Sequence, residues 1–108
     1  MNVNNFATAS VVATAGGTEI LSSTLATAAA TAGMNCIVIN PSVDIALVDA
    51  GGASPISQLP GAVAGTYANS PLTIFAGVPT TVLHRGGPIR AISSSGTATV
   101  KWALGCVP

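Results

Sequence analysis

The sequence is poor in charge and in aromatic rings. Only 6% of its 108 residues are Asp, Glu, Lys or Arg, and only 4% are Phe, Trp or Tyr. An ordinary soluble domain carries about 25% charged residues. Three basic side chains balance three acidic ones. This excludes a nucleic-acid binder that works through a basic stripe, because such a binder neutralises phosphates with several Lys or Arg. It equally argues against attachment to an anionic membrane. No apolar run approaches the roughly 20 residues of a membrane span. The start, Met1-Asn2-Val3-Asn4-Asn5, has no cation and no apolar run after it, so a secretory signal is not expected. Two cysteines and one histidine fall short of a four-ligand zinc site. Cys36 and Cys106 read as buried thiols packing like small apolar residues, with pairing left open should their strands be neighbours.

What is present is small and apolar. Apolar residues make up 49% of the chain, and Ala (19), Thr (12), Gly (12) and Ser (10) dominate it. Disordered chains have the opposite composition. The expectation is one packed domain over 1–108 whose surface is Ser, Thr, Asn, Gly and Ala. Such a surface is poorly soluble alone and suited to being covered by other protein.

Short β-type runs separated by Gly, Pro, Asn and Ser recur along the chain. Strands are expected at 6–13, 35–40, 43–49, 72–76, 79–84, 88–93 and 97–104. In the last of these, Ala98, Val100, Trp102 and Leu104 share one face. In 43–49, Val43, Ile45 and Leu47 do so. Asn40-Pro41-Ser42 reads as a tight hairpin connection between its two flanking strands. Residues 18–25 are ambiguous. An Ala-rich helix over 19–32 competes there, with Thr18 as N-cap, Glu19 in the first turn and Gly33 just past the end. Its Thr and Ser content works against it. Residues 50–71 hold four Gly and three Pro, which forbids a long helix or a central strand and makes a long loop. The fold class that follows is all-β: an antiparallel β-sandwich or jelly roll of about seven to eight short strands, with a short N-terminal arm at about 1–5.

Few residues suggest chemistry. His84-Arg85 before Gly86-Gly87 reads as a strand end turning into solvent, with His84 half-buried. The Gly pairs 51–52 and 86–87 lack phosphate-loop spacing and read as turns. Asp44 and Asp49 fall on opposite strand faces by parity, so they do not share a metal. Trp102 reads as core. Tyr67 could make an exposed contact or pack its own loop down. No catalytic constellation is present, and neither a cofactor nor a metal is expected. The acidic residues Glu19, Asp44 and Asp49 precede the basic Arg85, Arg90 and Lys101. Two accounts remain open: strand neighbours pairing within one chain, or opposed patches meeting between subunits of a head-to-tail ring.

Three pieces occur in order: Cys36-Ile-Val-Ile-Asn40; Val43-Asp-Ile-Ala-Leu-Val-Asp49 running into Gly51-Gly52 as its hairpin partner; and a closing hairpin, Ile89-Arg-Ala-Ile-Ser-Ser-Ser-Gly-Thr-Ala-Thr-Val100. Over roughly 35–104 this pattern resembles the small all-β accessory proteins of tailed-phage virions. The long 50–71 segment and the Ala/Thr-rich 19–32 segment depart from the commoner pattern. The resemblance implies a capsid cement or decoration protein, a head fibre, or a domain of a tail protein; the leading expectation is a non-enzymatic cement or decoration protein, made in the host cytoplasm and placed on the outer capsid surface. It would bridge major capsid protein subunits. The partner contacts expected are Asn2, Asn4, Asn5 and Phe6 in the arm, and Ile56, Leu59, Val63 and Tyr67 in the loop. Because so small and uncharged a domain leaves weakly polar surface and sheet edges to cover, a homo-oligomer is expected, with a trimer first and a dimer next. The alternative is a carbohydrate- or receptor-binding domain of a tail fibre or adhesin, which the scarcity of aromatics disfavours.

Overall fold

The computed structural model describes residues 2–3, 6–14, 16–48, 72–84 and 86–106. They form nine strands and one helix: β1 (Asn2–Val3), β2 (Ala7–Val11), β3 (Thr18–Leu21), α1 (Ser23–Thr31), β4 (Cys36–Pro41), β5 (Ile45–Val48), β6 (Thr73–Ile74), β7 (Thr80–Leu83), β8 (Ile89–Ser93) and β9 (Ala98–Cys106). The expected all-β sandwich is present. One sheet runs β1-β9-β4-β7, with β2 also paired to β9; the other runs β3-β8-β5-β6. Every pairing is antiparallel. On β9, β2 takes residues 98–102 and β1 takes 105–106, while β4 takes 100–105. The overlaps put β1 and β2 on one edge of β9 and β4 on the other.

Period-two alternation sets the core. From the first sheet Val11, Ile37, Ile39, Val82, Ala98, Val100 and Leu104 face inward, and from the second Ile20, Leu21, Ile45, Leu47, Ile74, Ile89 and Ala91 do so, in one continuous cluster. Val43 and Trp102 pack against it, as their face assignments require. Ile20 and Leu21 are neighbours yet both buried. The β3/β8 register slips between Glu19 and Leu21, and that bulge turns two consecutive side chains to the same side.

The segment 18–32 is neither all strand nor all helix. Thr18 and Glu19, expected at the start of a helix, lie in β3, and the N-cap is Ser22, whose Oγ accepts the Leu25 N–H at 3.1 Å. The helix ends as expected at Gly33, which has φ +83°. Gly33 N–H reaches Ala30 O and Met34 N–H reaches Ala29 O, closing the last carbonyls in a Schellman pattern. Ala26 and Ala29, one turn apart, are the side chains that α1 buries. Their small size lets the helix backbone come close to the sandwich.

The expected hairpins across Asn40-Pro41-Ser42 and across Ser94-Ser95-Gly96 are corrected. β4 and β5 belong to different sheets, and so do β8 and β9. Ser42 continues the β9 ladder for one more step: its N–H donates to Thr99 O, and its Oγ accepts the Thr99 N–H, both at 2.9 Å. Only then does the chain cross. The Pro-Ser turn is therefore a corner between sheets. The four pairs β5·β6, β4·β7, β3·β8 and β2·β9 nest around the β5–β6 connection, as if one long two-stranded ribbon were folded over itself.

Candidate interaction surface

Nesting sorts the connections to two ends. One end gathers residues 12–14, 16–17, 42–44, 75–79 and 94–97. Ser93 N–H bonds to Val12 O, Ser94 N–H to Asp44 O, and Gly77 N–H to Pro41 O. The other end carries α1 and the turn after β7.

At that second end His84 is 1% exposed, which corrects the expected half-buried strand end facing solvent. Gly86 N–H donates to Nδ1 at 3.0 Å, so Nε2 carries the ring proton and donates to Met34 O at 2.7 Å. The backbone closes the same link: His84 N–H reaches Asn35 O, and Gly87 N–H reaches His84 O. With both nitrogens used in fixing the exit of α1 to the turn after β7, His84 is a structural residue. Cys36 is free and buried, and its register partner on β9 is Gly105, not Cys106. The Cys106 side chain lies outside the described ones. Among the described residues no cluster of three His, Cys, Asp or Glu could hold a metal, and no helix is long and apolar enough to cross a membrane.

Among the described residues, two of the charged side chains are engaged by backbone groups of the chain. Glu19 stands opposite Arg90 across β3/β8. The Arg90 guanidinium donates to Gly16 O at 3.0 Å and to Gly17 O at 3.2 Å. Asp44 Oδ1 accepts the Ala76 N–H at 2.8 Å. Glu19 facing Arg90 is the one opposed pair of charges that strand neighbours bring together among the described residues. Asp49 and Arg85 lie outside the described residues. Among the described residues, Thr8, Ser10, Thr81 and Thr99 are exposed on the outer face of the first sheet, and Lys101 is the charged side chain there.

Against this surface, large apolar side chains stand exposed. Phe6 is 61%, Phe75 60% and Val78 51% exposed, with Val12, Leu25 and Leu83 less so. Phe6 is where a partner contact was expected, just ahead of β2. Asn2 belongs to β1 and is held in the sheet opposite Cys106. At that position the expected arm is part of a paired edge. Asn4, Asn5, Ile56, Leu59, Val63 and Tyr67 lie outside the described residues. Phe75 and Val78 were not singled out in the sequence, where Phe75 reads as strand and Gly77-Val78 as a bare turn. The available signal was Pro79 directly after an apolar-Ala-Gly-apolar run, a turn tip with two bulky ends. Beside it, Asn40, Pro41, Ser42, Thr99 and Lys101 line an open depression of about 220 Å³.

In comparison with known proteins, the chain matches no family model, no curated protein and no solved structure.

Proposed function

We propose that this protein is a non-enzymatic structural component of a phage virion, a cement or decoration protein on the outer capsid surface that stabilises the head by bridging major capsid subunits. The observation that carries the reading is the combination of a nearly uncharged surface with large apolar side chains held exposed on a packed sandwich. Water is a poor long-term neighbour for such a surface, and a protein lattice is a good one. The sequence pattern over 35–104 supports the same reading. So does the nesting of the four strand pairs, an arrangement compatible with the jelly roll that viral capsid domains use. Mechanistically, each copy would lay Phe6, Phe75 and Val78 into joints between capsid subunits, with Thr and Ser hydroxyls and free sheet-edge groups adding hydrogen bonds. The gain per copy is modest and is multiplied over the lattice. Self-association belongs to the proposal: copies would form a homo-oligomer, with a trimer about a three-fold or quasi-three-fold axis first in order.

Receptor or carbohydrate binding has less support. Trp102 packs against the core cluster, and the two exposed aromatics among the described residues, Phe6 and Phe75, are phenyl rings without a polar handle. The test of the structural reading is particle stability. Virions assembled without this protein should lose infectivity at a lower temperature than complete ones, and adding the purified protein back should restore the difference. Equal heat inactivation of the two particles would remove the proposal.

A further inference from the structure

His84 is the only histidine of the chain, and its ring ties the exit of α1 to the turn after β7. Nε2 donates to Met34 O at 2.7 Å, and Nδ1 accepts the Gly86 N–H at 3.0 Å. Only the neutral ring can do both. A neutral imidazole has one donor and one acceptor nitrogen, whereas an imidazolium has two donors. A proton added at Nδ1 takes the acceptor away from Gly86 N–H and sets two N–H groups against each other. It also leaves a positive charge on a side chain that is 1% exposed. Gly86 is where the turn meets the helix. Thr27 Oγ1 stands 3.5 Å from Gly86 O, and Ala30 is the neighbour that a Cβ at Gly86 would meet. At that distance the hydroxyl makes no strong bond, so the ring carries the side-chain link.

Among the described residues, no carboxylate is placed to hold that charge. The helix brings no charged residue, and residues 32–36 bring only the Cys36 thiol, turned to Asn35 Oδ1 at 3.4 Å. Residues 80–83 and 86–89 bring none; Arg85, next in the chain, lies outside the described residues. Asp44 is bonded to Ala76 at the other end, Arg90 to the carbonyls of Gly16 and Gly17, and Glu19 and Lys101 are exposed.

We propose that His84 is a proton-sensitive latch: acid protonates Nδ1, releases Gly86 and opens the α1 end of the sandwich while the sheets stay paired. The sign follows from proton counting. In the closed state Nδ1 is committed to Gly86, and in the opened state the ring is free to take a proton. The opened state binds more protons, so closure is present above the ordinary imidazole range, near 6.5, and is lost as pH falls through it. Carboxyl groups ordinarily titrate near 4 and thiols near 8.5, so the window between about pH 7 and 5 isolates the histidine. At about pH 5 a free imidazole is protonated roughly thirtyfold over its neutral form, which sets the scale of the effect.

The test is amide hydrogen exchange on the full chain, read by NMR at about pH 7, 6 and 5, with each rate referred to that of an unstructured chain at the same pH. Met34, Gly86 and Gly87 report on the latch. Gly77 and Ser93, bonded to Pro41 O and Val12 O at the other end, serve as references. Protection at the latch should fall about tenfold or more from pH 7 to 5, while the references change less than about twofold. His84→Asn keeps an acceptor oxygen in place of Nδ1 and cannot take the proton, so it should lose this pH dependence. A wild type in which latch and reference amides keep the same ratio at every pH overturns the proposal, whether or not the variant folds. A fall at the latch that His84→Asn shares overturns it too, since the proton would then act elsewhere.

Discussion

Gly16 and Gly17 look interchangeable in the sequence and differ sharply in their surroundings. Both have positive φ, +89° and +62°, and both give a carbonyl to Arg90. A Cβ on Gly16 would meet open space, whereas one on Gly17 would overlap the Ala91 carbonyl oxygen. That carbonyl belongs to β8, directly opposite Thr18, and cannot move without disturbing the β3/β8 ladder. Left-handed strain is common to the two sites and costs about 1–2 kcal/mol; the overlap adds roughly another 1–3 kcal/mol at Gly17 alone. Gly17→Ala should therefore lower the urea midpoint clearly more than Gly16→Ala at unchanged slope. Equal losses would mean that the close approach to Ala91 is wrong. His84 teaches the same lesson at another site. The only histidine in a chain with little charge invites a chemical role, yet both of its ring nitrogens are occupied by backbone groups.

At the scale of elements, α1 is nine residues long and too short to persist alone in water. It stands on two buried alanines, a serine cap and a glycine stop. Ser22→Ala removes the oxygen that receives Leu25 N–H and should cost about 1 kcal/mol. Thr24→Ala, an exposed helical position, should instead raise stability by a few tenths of a kcal/mol, because Ala is the better helix former. Chemical unfolding of the two variants reads the opposite signs; a shared sign would contradict this account of the cap. The glycine stop was legible because only one residue in that stretch tolerates φ > 0. The start was not, since Thr18, Ser22, Ser23 and Thr24 all offer a capping oxygen and Ile20-Leu21 suits a bulged strand equally well. The strands from Cys36 onward were legible because short apolar or β-branched runs, alternating in β7 and β9 and continuous in β4, are bounded by Gly, Pro and Ser turns. Their pairing was not. Periodicity reports which face is buried and is silent about which sheet a strand joins, and Pro41-Ser42 makes a turn whether the chain returns or crosses. Of the partner residues foreseen in the arm and the long loop, Phe6 is exposed, Asn2 is paired in β1 and the others lie outside the described residues; the exposed Phe75–Val78 turn depends on hydrogen bonds donated to Asp44 and Pro41, more than 30 residues away in sequence.

The whole molecule is a small nested sandwich that manages with very little charge. Its main core is continuous, Asp44 and Arg90 are engaged by its own backbone, and its two ends differ. One is closed by α1 and His84; the other carries exposed apolar tips among uncharged turns. A protein that acts alone in solution gains nothing from that second end, and a protein that lives in a lattice uses it. Residence on the capsid is tested by electron cryomicroscopy of purified virions, with the protein's presence verified by mass spectrometry. Ordered density for the sandwich is expected at joints between major capsid subunits on the outer surface, repeated with the symmetry of the shell. Complete virions in which the protein is absent, or is found only in the tail, would contradict it.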